Sequence, residues 1–297
     1  MNFTLHQLQI LLEVSRQDSL TKAAKEMYMT QPAISIQLKN LQSQFEIPIT
    51  EKIGKKVYLT DFGKYMVEVA KNILREADAI QYKTKEYKGL LTGKLKISSA
   101  STGKYVIPYF LSSFIHQYPG IDLTLDVSNK STVIQNLKDN EIDFALVSVL
   151  PDQLEVMEEI LVENKLYFIG NTEKTQKDKP LIYREEGSAT RMAMDRYFSK
   201  KAKRKSIALT SNEAVKQAVI AGLGQSIIPL IGMKNELANK QVFIIPSKGL
   251  PISTYWRLIW LKSKKLSPIA QAYLNFIKEE KESIITDCFG WCEEVIF

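Results

Sequence analysis

Three clusters of hydroxyl and amide side chains follow stretches that read as strands. Ser99, Ser101 and Thr102 come after LKISSA begins to close, Asn129, Ser131 and Thr132 after IDLTLDV, and Thr210, Ser211 and Asn212 after SIALT. Ser148 ends a further strand, DFALVSV. In open α/β sheets, ligands sit beyond the C-terminal ends of strands, near helix N-termini whose free N–H groups attract anions. Together these positions describe a polar pocket suited to a carboxylate, phosphate or sulfate. Each also has a purely structural reading. Ser131 and Ser211 are good N-caps, and Ser188 would cap the helix after EEG. Thr190 and Arg191 in REEGSATR would supply a cation at a helix start, unless Arg191 pairs with Glu185 or Glu186.

A second group suits a nucleic-acid surface. In DSLTKAAKEMYMTQPAISIQLKNLQSQF, two short helical patterns are separated by a brief polar break. Ala23 and Ala24 are small enough to let two helices cross closely. Thr30 is a good N-cap, and Pro32 is tolerated in a first turn, where N–H groups lack intrahelical partners. A helix from Gln31 would bury Ile34, Leu38, Leu41 and Phe45 on one stripe. Its opposite face carries Pro32, Ile36, Lys39, Asn40 and Ser43, flanked by Gln31 and Ser35. That face is uncharged or basic with mostly short side chains, so it could enter a major groove. KIGKKVYLT then reads as a small hairpin whose Lys52, Lys55 and Lys56 form a basic wing.

Catalysis finds little support. His6 lies in the helical N-terminal region and His116 late in an apolar helix, so neither suits a triad. No glycine-rich phosphate loop occurs. Glu158 and Glu159 are adjacent in a surface-like stretch, where solvation explains them better than acid–base work. The two cysteines, Cys288 and Cys292, and two histidines do not assemble four zinc ligands. A helix would let the cysteines face each other, but Gly290 lies between them, and ordinary packing is the simpler reading. No catalytic residue, metal or cofactor is expected.

The elements that must position these groups fall into three stretches of the 297 residues. Residues 1–60 hold a helix over 4–15, the helix-turn-helix and the wing. Thr60 caps a long helix to about Lys88, in which Phe62, Met66, Val69, Ile73, Ile80 and Tyr87 follow a 3.5-residue repeat. Such a stripe fits either a partner helix in a dimer or the chain's own core. GLLTG breaks the pattern, and alternating strands and helices follow, arguing a parallel-rich α/β architecture of two lobes. The expected divisions are 1–60, 61–91 and 92–297, with lobe I at 92–165 plus 267–297 and lobe II at 166–266. No apolar run nears membrane-spanning length and no secretory signal is visible, so a cytoplasmic protein is expected. Net charge is +7, yet residues 1–92 hold 13 Lys and Arg against 10 Asp and Glu, so placement carries the argument. The denser cluster Lys200, Lys201, Lys203, Arg204 and Lys205 reads as a solvated surface.

These residues resemble the LysR-type transcriptional regulators over essentially the whole chain. SLTKAAKEMYMTQPAISIQLKNLQ matches that family's Ser-Phe-Thr-x-Ala-Ala segment followed by Ser/Thr-Gln-Pro, and the match continues through IPITEKIGKKVYLTDFG. STGKYVIPYF, YPGIDLTLDVSN and IYREEGSATR resemble the branch regulating carbon-fixation operons and bicarbonate uptake. The resemblance implies an N-terminal all-α winged helix-turn-helix, a long coiled-coil linker helix, and a two-lobed α/β effector domain like the periplasmic binding proteins of type 2. It implies homodimers that pair into tetramers. By analogy, Gln31, Pro32 and Ser35 would face base edges, and Lys39, Lys52, Lys55 and Lys56 would neutralise phosphates. Thr60 would add a contact at the end of the wing. Ile36 replaces an often basic residue, exchanging a phosphate contact for a thymine-methyl contact. Family effector contacts fall at Ser99, Ser101, Thr102, Asn129, Ser148, Ser211 and Asn212. Glu46 stands where Gly is usual, so the recognition helix should end differently, and Thr50 replaces a Phe that anchors the wing.

The expected protein is therefore a sequence-specific, duplex-DNA-binding regulator switched by a small anionic metabolite, not an enzyme, and able to meet RNA polymerase at its promoter. Two rivals stand beside it: a DNA-binding scaffold whose lobes bind nothing, and an enzyme or solute-binding protein of the same two-lobed fold.

Overall fold

The structure, a computed structural model, describes residues 2–53, 56–86, 91–199 and 204–293, with only the backbone at 52, 53, 79 and 81–86. Two compact units divide at residues 89 and 90.

In the first unit α1 (Leu5–Gln17) opens on a capping box in which the Thr4 and Gln7 side chains each bond the other's backbone N–H. Helix α2 (Leu20–Glu26) is capped by Ser19 and α3 (Gln31–Gln42) by Thr30, with proline in the first turn of α3. Strands β1 (Thr50–Ile53) and β2 (Lys56–Leu59) pair antiparallel as the wing, and α4 (Asp61–Glu86) follows. Ala23 and Ala24 are buried where small residues permit close crossing, and they share one core with Leu8, Leu11, Ile34 and Leu41. Phe45 packs against this core from beyond the end of α3. The bland reading of the α4 stripe holds for its first half: Met66, Val67 and Ala70 are buried in the unit's own core, with Phe62 and Ile73 packed against it. Ile80, further along, is 70% exposed. Tyr87 and Lys88, expected to complete that helix, lie outside the described residues.

The second unit runs β3 (Gly93–Ala100), a 3-10 turn (Ser101–Tyr105), α5 (Ile107–Gln117), β4 (Ile121–Ser128), α6 (Lys130–Lys138), β5 (Phe144–Val147) and β6 (Val156–Gly170). It continues with β7 (Leu181–Arg184), α7 (Ala189–Phe198), β8 (Ser206–Leu209), α8 (Asn212–Ile220), β9 (Ser226–Pro229) and a short turn (Leu230–Gly232). Then come α9 (Lys234–Ala238), β10 (Phe243–Ile244), β11 (Ile252–Leu261), α10 (Pro268–Phe289) and a last turn (Gly290–Cys292).

The sheet is mixed rather than parallel-rich. Its order is β10-β6-β11-β5-β3-β4, with β9 also on β6. Strand β3 runs parallel to β4 and β5, whereas β11 is antiparallel to both β5 and β6. The difference arises because β6 and β11 are long strands that serve both lobes. The first half of β6 pairs only β11, while its second half also carries β9 and β10. The acids Glu158 and Glu159 conceal its start. They lie within this strand, where Glu158 pairs with Arg257 at 2.7 Å and Glu159 with Lys281 at 2.6 Å, so they do structural work. Of QVFIIP only two residues are strand. The chain returns to lobe I inside β11, at Arg257 beside Val147, earlier than the expected residue 267.

Each lobe buries both faces of its strands. Phe110, Phe114, Phe144 and Tyr273 fill one side of lobe I and Val133, Leu137 and Ile259 the other. Tyr167, Val215 and Val219 fill one side of lobe II, and Phe168, Met194 and Ile227 the other. Arg204 departs from the solvated reading: its guanidinium bonds the carbonyls of Gln176 and Lys179 and ties down a turn. Lys200, Lys201 and Lys203 lie outside the described residues. Among those described, no helix is long and apolar enough to cross a membrane.

Candidate functional site

Two surfaces gather the side chains singled out above, one in each unit. On α3 the apolar stripe faces inward, and Gln7 of α1 bonds Gln37 at 3.1 Å to fix the helix. Gln31, Pro32, Lys39, Asn40 and Ser43 are exposed on the outer face, with Ser35 half-buried, while Ile36 is 57% exposed. Apolar exposure at that position is what a thymine methyl would cover. Lys56 is exposed on the wing; Lys55 and the side chain of Lys52 lie outside the described residues. Thr60 caps α4 as expected, its hydroxyl accepting from Gly63 N at 2.9 Å and donating to the Pro48 carbonyl at 2.5 Å. Tyr28, in the break before α3, was not singled out; it holds φ at 54° and is 98% exposed.

In the second unit a cavity of about 480 Å³ opens between the lobes. Ser101, Thr102, Asn129 and Ser148 line it from lobe I, and Thr210 and Asn212 from lobe II, so five of the seven predicted effector residues meet there. Asn129 caps α6 by accepting from Thr132 N at 3.0 Å, which displaces Ser131 from the expected capping role and leaves its hydroxyl on the cavity wall. Ser188 and Ser211 cap α7 and α8 as expected.

Ser99 and Ser211 do not line the cavity. Ser99 is fully buried, with its hydroxyl bonded to the Ala100 carbonyl and pressed against Gly103, where an added Cβ would come within 2.2 Å of Ser99 Oγ. It supports the turn that presents Ser101 and Thr102. The Ser211 hydroxyl accepts from Ala214 N.

The buried cation of the cavity is Arg184, not Arg191, and Lys130 also lines it. Arg184 is 3% exposed, pairs with Glu185 through two bonds of 2.6 and 2.7 Å, and reaches Ser101 Oγ of the other lobe at 3.5 Å. Arg191 is held away by Asp195 at 2.9 Å and stacks over the Tyr183 ring at 4.6 Å, while its Nη1 donates to the Arg184 carbonyl. Asn164, Thr254 and Trp256, from the crossing strands, complete the wall. Asn164 Oδ1, Asn212 Oδ1 and Trp256 Nε1 are buried without a hydrogen-bond partner among the described residues. Buried polar atoms are nearly always satisfied, so three unpaired atoms on residues that line one cavity stand out.

Beside the cavity the lobes are tied by polar contacts. Asn212 Nδ2 donates to Thr102 Oγ1, and Tyr105 OH donates to Glu213 Oε2 at 2.6 Å. Lys216, 5% exposed, lies between Glu213 and Glu236 at 3.1 and 2.6 Å. Burial and the Glu213 bond push the Tyr105 phenol up to about 12. Burial alone would raise Glu213, but bonds from Tyr105, Gln217 and Lys216 outweigh it and hold the carboxyl at about 2.

Residues 5–64 match the bacterial regulatory helix-turn-helix protein of the lysR family, and residues 88–282 match the LysR substrate binding domain. This chain belongs to the LysR family. Its relatives include the HTH-type transcriptional activator CmpR of Synechocystis sp., 35% identical over 296 residues that cover 95% of this chain and 97% of that one. The RuBisCO operon transcriptional regulator of Allochromatium vinosum is 33% identical, with 94% and 97% covered. Among solved structures, the regulatory domain of Synechocystis CcmR in complex with 2-PG is 30% identical, with a TM-score of 0.60, covering 64% of this chain and 98% of that one. The protein is thus a LysR-type transcriptional regulator with a DNA-binding helix-turn-helix and an effector-binding domain, and its relatives are named as regulators, not enzymes.

As a LysR regulator it keeps two individual features in the reading head. Helix α3 ends with Ser43 in right-handed geometry and no positive φ near Glu46, and Gln42 stitches the following segment by bonding Ile47 O and Ile49 N. With Thr50 in place of the usual aromatic, the fully buried Ile49 anchors the base of the wing. Sequence reasoning missed Arg184, Asn164, Thr254 and Trp256. Arg184 ends a strand next to the REEGSATR stretch and could have been found as a strand-exit cation; the other three sit inside β6 and β11, which look like core strands.

Proposed function

We propose that this LysR regulator senses a small dianion carrying phosphate, carboxylate or both, held in the interlobe cavity by Arg184. The observation that carries this reading is a buried guanidinium in a cavity lined by hydroxyls of both lobes, with the Trp256 indole N–H left unpaired on a lining residue. Among the described residues Arg184 forms an ion pair only with the adjacent Glu185, whose side chain is 30% exposed. An anion can take its place and leave Glu185 to water. Ser101, Thr102, Asn129, Ser148 and Asn212 supply hydroxyl and amide donors, and the N-termini of α6, α7 and α8 add their partial positive charge. The 2-PG bound to CcmR is consistent with this chemistry.

In this reading residues 1–60 grip duplex DNA, residues 61–91 join two copies, and residues 92–297 hold the effector. Dimers pair into tetramers, the protein works in the cytoplasm, and it meets RNA polymerase at its promoter. Gln31, Pro32, Ser35 and Ile36 face base edges, while Lys39, Lys52, Lys55 and Lys56 lie along phosphates. Bending a site by 40–90° costs on the order of 1–6 kcal/mol. A ligand that prefers one lobe arrangement 100-fold supplies about 2.7 kcal/mol, enough to redistribute bent and less bent complexes.

Calorimetric titration with 2-phosphoglycolate, inorganic phosphate and sulfate tests the cavity. Binding to the wild type that falls at least about tenfold in Arg184→Gln, with melting temperature kept, supports the assignment. Affinity untouched by that substitution moves the anion elsewhere. Absence of binding by any of these anions, with intact footprints on the promoter fragment upstream of the protein's own gene, favours the scaffold reading.

A further inference from the structure

Residues 283–293 extend past the match to the LysR substrate binding domain, which ends at 282. They do not trail away. Phe289 is 3% exposed in the lobe I core, stacked on Phe110 at 5.9 Å and edge-on to Tyr109 at 5.3 Å. Just beyond it, Trp291 and Cys292 pack against the lobe II core that holds Tyr167 and Val242. Lys234 Nζ stands 5.4 Å from the centre of the Trp291 ring. The cysteines divide the same way: Cys288 packs on lobe I and Cys292 on lobe II, both as free thiols, so they do not act as a facing pair.

The segment meets the place where one lobe enters the other. Ile231, in the lobe II turn Leu230–Gly232, is 7% exposed within the lobe I core. Tyr105 of lobe I presses on that turn from one side, since a Cβ added at Gly232 would come 2.9 Å from its ring. Phe289 and Cys292 face it from the other, across a small cavity of about 60 Å³ that Leu230 and Ile231 also line. Lobe II's peg is therefore held between Tyr105 and the C-terminal segment.

We propose that this segment is a clamp: Phe289 and Trp291 anchor it in opposite lobes, fix the peg Leu230–Gly232 as the pivot, and so set how readily the cleft closes on its anion. Two residues of fully extended chain reach about 7 Å. A lobe movement that parts the two cores at this point would draw one of the two rings out of its own. The clamp rests on the cleft reading above for its consequence but not for its geometry. It holds the lobes in the arrangement in which Asn212 of lobe II reaches Thr102 of lobe I beside the cleft, which raises the population able to bind.

Trp291→Ala in the full-length chain tests this, with a chain ended after Gly290 as a second variant and thermal melting to verify folding. Hydrogen–deuterium exchange without ligand should rise at least about fivefold at Leu230–Gly232 and at both cleft walls, Ser101–Thr102 and Thr210–Asn212. The Kd for 2-phosphoglycolate should rise at least about fivefold as well. Exchange changes confined to residues 283–293 and their immediate neighbours, with the cleft walls and Kd unmoved, would overturn the clamp. If 2-phosphoglycolate binds neither wild type nor variants while the cleft walls loosen, the clamp stands and the anion reading fails. Should the shortened chain not fold, Trp291→Ala decides alone.

Discussion

The Asn164 side-chain amide donates to Thr254 Oγ1 at 2.9 Å, joining the two long strands at the level of the interlobe cavity. The residues are register partners on β6 and β11, and Asn164 is 3% exposed. Thr254→Val should leave a buried amide N–H unpaired and lower stability by about 1–3 kcal/mol. Thr254→Ser should restore most of it. Denaturant unfolding of both variants reads the difference, and equal losses for valine and serine would refute the bond's role.

The Tyr105–Glu213 tie predicts two pH limbs. Glu213 is held at about 2 against an ordinary 4.5, so its stabilisation is complete above 4.5 and fades as pH falls toward 2. Tyr105 is raised from 10 to about 12, so its contribution is complete below 10 and fades as pH rises through 12. Glu213→Gln should flatten the acid limb and Tyr105→Phe the alkaline one. With the Glu213 side chain 39% exposed, solvent screens part of the acid effect. Melting temperatures across pH for wild type and both variants check it.

Lys39 and Lys56 are exposed on α3 and the wing. Removing either as alanine should weaken binding to every sequence alike and lower the salt slope by about 1. Selective loss at one base pair would contradict the phosphate assignment.

Gln31 lies exposed in the first turn of α3, where a recognition helix meets base edges. Gln31→Ala should relax the preference at one base pair at a cost of roughly 1–3 kcal/mol, leaving the salt slope unchanged. Binding to a panel of singly substituted promoter fragments measures it.

The legible parts of the sequence were those ruled by local chemistry. Thr30, Ser188 and Ser211 announce their helices because capping needs only a hydroxyl and the next turn, and the α3 stripe shows because burial repeats every three to four residues. Convergence of the strand exits followed from chain topology alone. What stayed hidden depends on distant partners. Glu158 and Glu159 look solvated until Arg257 and Lys281 arrive from about a hundred residues away. The Thr60 cap was legible, but not that the Pro48 carbonyl would also take its hydroxyl proton. Arg191 reads as the cation on paper, until Asp195, one turn beyond it, takes its charge and leaves Arg184 on the cavity. Trp291 and Cys292 match no pattern because their binding surface is the other lobe.

Strands β6 and β11 run unbroken through both lobes, and their pairing slips once, between Trp256 and Arg257, where Leu161 has no opposite number. A bulge concentrates twist in a two-stranded ribbon. The lobes thus share one continuous spine, and the one irregularity in its pairing lies beside the indole that lines the cavity.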